Sequence, residues 1–438
     1  MKTDPRQPEN EMRKQGVTFL RVLSLIFGQD MVTFPIHARY WKRFFSSLVF
    51  LAFFLTPLFS LAIEPAGNIH IGQLDIHPSL SVKGAYNDNI YNEDKGETGT
   101  TITNISPGIA FQFPLQKHLL NMDCRAEFID ASNHKNYQTD KYFANIMLDL
   151  DFNRLNVQMG DNLADDSVAP HSKNGVRNDY YQNRFFLDAS YKLGNRYKVK
   201  GFYRNELRDF NSLQESGQPD PRLDNYTKNE LGFNLFYRFL PLTSALVEYG
   251  YADIDNEDME FRSTDSNTQR LWLGLTWEAT SKITGIIKGG YVYRRYEADI
   301  EDFEGFGMKG DLVYEATSYT IFGLKAFRKP VDTSVTQEEA VYGTYYLSTG
   351  GTLSVDHKFT HKISANAHVS YTNDLYKQIG IYDKKRDDDR MCFGVGGNYQ
   401  VRDWLGFKVN YSYVDSDSNF NNEDYRTNVI AGKISLTF

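Results

Sequence analysis

Charged side chains occur in the middle of segments whose residues otherwise alternate between apolar and polar. The set comprises Arg125, Glu127, Lys198, Lys200, Arg204, Arg238, Lys288, Arg294, Lys309 and Asp311. Successive side chains of a strand point to opposite faces, so residues two apart, such as Arg125 and Glu127, share a face. Charges of both signs on one wetted face can pair with each other or contact a polar solute, and the sequence leaves both interpretations open.

Three aromatic residues, Trp272, Tyr296 and Tyr319, fall on the same face as these charges if the alternation is extended to them. Large aromatic rings provide flat apolar contact surfaces, on which sugar rings stack. The chain has no G-x-S-x-G, no H-E-x-x-H and no cysteine pair at metal-binding spacing. We therefore predict that these residues contact a solute without catalysing a reaction, and that no cofactor or metal is involved. An enzyme site assembled from separate strands is a lesser alternative.

The elements that carry these residues are predicted to be strands. In "LGFKVNYSYV", Leu405, Phe407 and Val409 share one face while Gly406 and Lys408 lie on the other. Eighteen such segments follow one another from Ile76 to the last residue, and no helical-period segment of comparable length interrupts them. Sixteen strands is the alternative count, because "LNVQMGDNLA" and "YGTYYLSTGGTLSVDHKF" alternate least clearly.

The connections between these strands alternate strictly in length, with nine long loops and eight short turns. A transmembrane barrel of the bacterial outer membrane has this asymmetry, with short periplasmic turns and longer extracellular loops. The sequence predicts an all-β protein, a closed antiparallel transmembrane β-barrel with both termini in the periplasm. Closure requires the terminal strand, 425–438, to pair with the strand near Ile76, because a strand edge with unpaired N–H and C=O groups is strongly unfavourable in hydrocarbon. Mid-strand charges must then face the lumen.

The N-terminal region predicts secretion. "HARYWKR" supplies positive charge, residues 44–62 supply an apolar run, and Ser60 and Ala62 supply a small-residue cleavage site. We assign residues 1–62 to an N-terminal extension with a cleaved signal peptide, 63–75 to a short periplasmic lead-in and 76–438 to the barrel. A membrane anchor is the alternative to cleavage, and Met31 is an alternative start.

Composition narrows the function classes. The 438 residues are 41% hydrophobic, 24% charged and 15% aromatic, which suits a folded protein. Without residues 1–62 the chain has 40 basic and 52 acidic residues, a net charge of −12, so nucleic acid is not an expected partner. Cys124 and Cys392 lie near opposite ends of the barrel sequence and are expected to be unpaired thiols.

The start of the barrel region carries a family resemblance. "PSL" at Pro78–Leu80, "YNDNI" at Tyr86–Ile90 and "ISPGI" at Ile105–Ile109 resemble segments of outer-membrane β-barrel porins that accompany exopolysaccharide loci in Gram-negative bacteria. The resemblance covers about 80 residues and implies a conduit for a secreted exopolysaccharide or capsular polysaccharide. A periplasmic polysaccharide export protein would then be a partner. A general diffusion porin for small polar solutes is the alternative function.

The C-terminal residues Ile434, Leu436 and Phe438 share one face of the last strand. They resemble the signal that the barrel-insertion machinery recognises, with a simple strand end as the alternative interpretation. The partners expected from the sequence are this machinery and the lipid and lipopolysaccharide of the outer membrane.

Overall fold

A computed structural model describes residues 69–169, 177–210, 224–256, 265–277, 282–297, 301–333, 345–377, 384–420 and 423–438. The extension, the predicted signal peptide and the start of the lead-in lie outside these residues. The strands are β1 Ile69–Ile71, β2 Leu74–Asn87, β3 Thr100–Leu115, β4 His118–Ala131, β5 Thr139–Phe152, β6 Leu155–Val168, β7 Asn178–Leu193, β8 Tyr197–Phe210, β9 Tyr226–Leu240, β10 Thr243–Asn256, β11 Ser266–Trp277, β12 Ile283–Tyr296, β13 Phe303–Glu315, β14 Thr320–Asp332, β15 Tyr345–Lys358, β16 Ile363–Tyr376, β17 Asp387–Arg402, β18 Leu405–Ser418 and β19 Tyr425–Thr437. A single 3-10 turn, Lys135–Tyr137, lies between β4 and β5.

The strands β2 to β19 form a closed antiparallel barrel in which each strand pairs with its neighbours in the sequence. β19 pairs with β2, which confirms the predicted closure and the count of eighteen barrel strands. The two weakly alternating segments form β6 and β15, so sixteen strands is wrong. The short β1 adds a hairpin to the start of β2, and β2 begins two residues earlier than predicted.

The short turns lie together at one end of the barrel, here the short-turn end, and the long connections lie at the other, the long-loop end. Tight reversals at the short-turn end use backbone with positive φ, at Gln116 (60°), Asn153 (69°) and Gly194 (66°). Glycine and asparagine tolerate this conformation best, which explains why Asn153 and Gly194 stand in these short turns. Among the described residues no helix has the length and apolarity needed to cross a membrane.

The two faces of the wall differ in chemistry. Outer side chains are large, apolar and exposed, for example Leu273 (63%), Val409 (58%) and Ile430 (55%). This pattern suits a surface that meets hydrocarbon. Asp161 of β6 is an exception to this pattern: it pairs in register with Ile146 and Phe185 of the outer face, and it accepts a 2.6 Å hydrogen bond from Asn183.

Two seams of the wall differ in pairing. The closing seam, β19 with β2, has nine in-register pairs from Val429–Asn87 to Thr437–Ser79. The parted seam, β13 with β14, has eight pairs, all in its short-turn half, although β12–β13 has 12 and β14–β15 has 13. Above Met308–Arg328, at the long-loop end, β13 and β14 no longer pair.

Candidate functional site

The site is the inner wall of the barrel, where the structure places most of the residues singled out from the sequence. Their ladder partners and their alternation with the exposed apolar residues put them on the inner face: Arg125, Glu127, Lys198, Lys200, Arg204, Arg238, Trp272, Lys288, Arg294, Tyr296, Lys309 and Asp311. Tyr319 lies instead in the turn before β14 and is 60% exposed. The segment "EATSYT" reverses the chain one residue later than alternation alone indicates.

Several of these charges are held by neighbours on the wall. Asp188 of β7 forms ion pairs with Lys200 (2.9 Å) and Arg204 (2.7 Å) of β8. Arg125 pairs with Glu127 (3.1 Å), two residues along the same strand. Such partly wetted pairs add little stability individually, but they fix the positions of charges around the lumen.

A longer chain of charges crosses four strands. Arg270 of β11 binds Glu230 of β9 and Glu248 of β10, and Lys288 of β12 completes the chain by binding Glu248 at 2.5 Å. Glu248 is 6% exposed and Lys288 12% exposed, so their pairing is needed for either charge to be tolerated. A side chain at Gly250 would collide with Arg270, so glycine there lets the guanidinium lie flat across the wall.

The aromatic residues predicted to contact sugars are largely engaged in the wall. Trp272 lies with the Lys288 ammonium 4.7 Å from its ring centroid. It also packs against a cluster formed by Val292, Tyr296, Phe303, Tyr345 and Leu347, which are 2–5% exposed. We call these five residues the interlayer cluster.

The interlayer cluster joins two layers of sheet. Val292, Tyr296 and Phe303 belong to the inner face of β12 and β13. Tyr345 and Leu347 lie on the same face of β15 as Leu353, which is 53% exposed on the outside of the barrel nearer the short turns. The outer face of β15 therefore packs against the inner face of β12 and β13. The long-loop ends of β14 and β15 lie inside the wall, where they narrow the lumen.

Polar contacts fix this inner layer. The side chain of Arg294 is 6% exposed and donates to Asp332 of β14 (2.7 Å) and to Ser266 of β11 (2.8 Å). The Tyr296 hydroxyl donates to the other Asp332 oxygen at 3.3 Å. On the far face of the layer, Ser348 donates to Asp374 at 2.6 Å. The bonds of Arg294 and Tyr296 to Asp332 therefore hold the inner layer against β12.

A second group of loop-end contacts lies at the same end of the barrel. Arg386, which precedes β17, forms ion pairs with Asp388 (2.8 Å) and Glu423 (3.1 Å) and stacks over the Tyr376 ring. Although burial opposes its charge, the hydrogen bond and attraction of Asp388 raise the pKa of Arg386. The guanidinium is thus a permanent cation at the mouth.

Two rows of lysines line the lumen without acidic partners. Lys408, Lys433 and Lys83 lie side by side on β18, β19 and β2, directly in register. Lys309, Lys325 and Lys329 line β13 and β14, with Asp311 opposite Lys325. In the described ranges none of these six lysines forms an ion pair. Acids without a cationic partner face the lumen on β4 and β5, where Asp123 and Asp149 accept hydrogen bonds from Asn145, Asn156 and Gln158.

Several of these functional residues were not identified from the sequence alone. Arg270 shares a face with Trp272, so alternation could have identified it, but its pairing with Glu230 and Glu248 depends on the register between strands. The row formed by Lys83, Lys408 and Lys433, here the three-lysine row, likewise becomes visible only when the first and last strands of the barrel pair. Both cysteines are free, Cys124 on the outer face and Cys392 on the inner face. In the described part of the chain, no group of three metal-ligating side chains comes together.

A family model matches residues 62–438 under the description "Putative beta-barrel porin 2". The chain belongs to this porin family. Solved structures similar to this porin include OpdK of Pseudomonas aeruginosa, with 11% identity, a TM-score of 0.45 and coverage of 83% of this chain and 99% of that one. OccAB4 of Acinetobacter baumannii has 13% identity, a TM-score of 0.44 and coverage of 83% and 98%. OpdQ of P. aeruginosa has 11% identity and a TM-score of 0.46, with coverage of 84% of this chain and 100% of that one. No curated protein matches the sequence.

Proposed function

We propose that this porin is a diffusion channel for small polar solutes across the outer membrane, with its short turns and both termini on the periplasmic side. The observation that carries the proposal is the contrast between an apolar outer face and an inner face lined by charged and amide side chains. Barrels of sixteen to eighteen strands are wide enough to leave an aqueous channel. The inner layer of β14 and β15 narrows this channel at the long-loop end.

The placement of the three aromatic residues predicted to contact sugars favours small solutes over a polymer. Tyr296 is 3% exposed within the interlayer cluster, Trp272 packs against that cluster, and Tyr319 lies in a turn. They provide no continuous row of rings along which a polysaccharide could slide. Export of exopolysaccharide, with a periplasmic export protein as partner, remains the second candidate on the resemblance of residues 76–152.

The test of conduction is reconstitution. The purified barrel should give stable ion conductance in planar bilayers, and liposomes that contain it should swell in arabinose faster than in larger oligosaccharides. Because unpaired lysines and acids both line the lumen, we expect only weak ion selectivity. Failure to conduct or to admit arabinose would remove the channel proposal.

The three-lysine row permits a matched test of the inner wall. Lys83→Glu, Lys408→Glu and Lys433→Glu together should shift the reversal potential toward cation preference, because fixed charge on a low-dielectric wall concentrates counter-ions. Lys95→Glu, in a long loop with its side chain 85% exposed, is the control and should shift it much less. Equal shifts from both would place the lysine row outside the conducting path.

The polymer alternative is tested in cells. A clean deletion strain should keep its surface polysaccharide and take up small sugars more slowly if the diffusion channel is correct. Loss of surface polysaccharide with unchanged sugar uptake would support export instead.

A further inference from the structure

The parted seam is an interruption in the wall of an otherwise continuous barrel. Between Phe303 and Gly307 of β13, and above Arg328 of β14, no ladder pair joins the two strands, although both strands are described there and both continue to pair with their outer neighbours. Among the described residues, each strand therefore has one edge without a ladder partner at this level. Free edges within an apolar medium are unfavourable, so something other than backbone pairing must occupy or cover them.

The sequence explains why the ladder stops. If the register continued, Pro330 would stand opposite Phe306. Proline has no N–H to give to a ladder and is confined to edges of sheets. On the facing strand, a side chain at Gly307 would come within 2.7 Å of Val292 of β12, so glycine there leaves room for Val292 to pack in the interlayer cluster. The position of Pro330 on β14 therefore explains where the ladder stops.

In the described part of the chain, side chains cover the interruption on both sides. Behind the free edges lies the interlayer cluster, in which the Tyr345 ring stacks on Tyr296 (centroids 5.6 Å apart) and meets Phe303 edge-on (6.0 Å). On the outside, Phe306 and Tyr291 flank the seam and are 57% and 52% exposed. An apolar path therefore runs from the lipid-facing side, between two sheet layers, toward Trp272 at the lumen.

The positive charges beside this path favour a ligand with an anionic headgroup. Lys309, Lys325 and Lys329 line the lumen side of β13 and β14, and in the described residues they have no ion pair. Asp311 is the only acid between them. A ligand with an apolar chain in the seam and an anionic head toward these lysines satisfies both features.

We propose that the parted seam is a lateral port that takes the acyl chain of a single-chain anionic amphiphile between the lumen and the membrane leaflet at the long-loop end. The chain lies among the residues of the interlayer cluster, and the carboxylate faces Lys309 and Lys325, which lie on the lumen side where β13 and β14 still pair. Displacement of Tyr345 and Leu347 from β12 and β13 opens the path, and the Arg294–Asp332 pair holds it closed. This inference goes beyond diffusion of polar solutes.

Trp272 reports on the path because it packs against the cluster. Replacing Trp41, Trp277 and Trp404 by Phe leaves it as the single tryptophan, in a barrel embedded in lipid nanodiscs. The probe is 11-bromoundecanoate, whose bromine quenches tryptophan on contact. We expect saturable quenching, and weaker quenching by the corresponding trimethylammonium amphiphile. Absence of saturable quenching would overturn the port, and equal quenching by the cation would overturn the anionic ligand.

A crosslink across the two layers locates the path. In a Cys124→Ser, Cys392→Ser background, Phe303→Cys with Tyr345→Cys is closed with a short thiol crosslinker. The apparent affinity measured by quenching should fall at least about tenfold, because excluding only two methylene groups from an apolar site has this effect on the dissociation constant. The control, Tyr180→Cys with Phe210→Cys, joins a paired position of the intact β7–β8 ladder, where the rings are 5.2 Å apart.

The uncrosslinked form of each variant must quench like its parent, which separates closure of the seam from misfolding. If Phe303→Cys with Tyr345→Cys does not fold, Tyr296→Cys with Tyr345→Cys makes the same closure. Unchanged quenching after crosslinking would show that the probe reaches Trp272 through the lumen and would overturn the lateral port. Arabinose swelling of the same preparations tests the channel separately, so either proposal can fail alone.

Discussion

The closing seam joins the two ends of the barrel sequence, whereas the parted seam joins neighbouring strands of one hairpin, yet the closing seam is the more completely bonded. Its ladder is extended at both ends, where Phe438 donates to the Pro78 carbonyl oxygen (2.8 Å) and Asp88 donates to the Asn428 carbonyl oxygen (3.1 Å). The parted seam loses its ladder over a third of its length. Sequence proximity thus does not determine where a barrel wall is tight. What determines it is whether the residues at the end of the ladder can continue the backbone pairing, which Pro330 cannot because it has no N–H to donate.

The largest expected effect concerns assembly at the closing seam. Deletion of Phe438 removes its backbone bond to Pro78 and its ring stacking on Trp404, with centroids 6.2 Å apart. It also removes the last residue of the proposed insertion signal, which includes Ile434 and Leu436. Folded barrel in the outer membrane should fall sharply, measured as heat-modifiable protein on gels. Phe359→Ala, in a short turn and 62% exposed, should leave the level unchanged. Normal insertion without Phe438 would refute the signal.

The next effect distinguishes the partners of the ion pair at the parted seam. Asp332→Ala leaves the Arg294 guanidinium, 6% exposed, without its anion, and should lower the free energy of unfolding by about 3 kcal/mol. Arg294→Met leaves Asp332, 42% exposed, free to meet water and should cost much less. Urea unfolding in detergent micelles measures both. Equal losses would mean that the inner layer does not bury Arg294.

A smaller effect is expected from Asn89, which is 0% exposed at the top of the closing seam. Its side chain donates to the carbonyl oxygens of Arg426 (3.0 Å) and Glu93 (2.8 Å) and accepts from the Glu93 N–H. Asn89→Ala should cost roughly 2 kcal/mol, because it leaves buried backbone groups unpaired. Asn89→Asp keeps the acceptor and should retain part of this stability. An unfolding midpoint equal to that of the parent would contradict the assignment.

The smallest effect sharpens the comparison by making the two seams alike. Pro330→Val restores a backbone donor to β14, which could contribute about 1 kcal/mol if it found a partner on β13. We expect little stabilisation, because β14 already lies inside β13. Hydrogen exchange of those Phe303–Gly307 amides that point toward β14, and not toward β12, should therefore remain fast. Strong protection of these amides in the variant would show that proline alone holds the seam apart.

The sequence predicted the strands, their number and the closure of the barrel, since each follows from period-two alternation and from loop lengths. It also assigned charged residues such as Lys200 and Lys288 to the face opposite the apolar one. It did not predict the inner layer, because Tyr345 and Leu347 keep the alternation of their strand while the strand itself moves inside the wall. Nor did it predict the chain from Glu230 to Lys288, because contacts between strands depend on register, which alternation does not specify.

The two free cysteines provide one native labelling site on each surface of the barrel wall. Cys392 lies in register with Ser370 on the inner side, whereas Cys124 pairs with Ala144 on the outer side. A charged, water-borne maleimide that enters the channel should find the first thiol, and an oil-soluble maleimide the second. The native chain can therefore be labelled on one surface at a time, without any substitution, by the choice of reagent solubility.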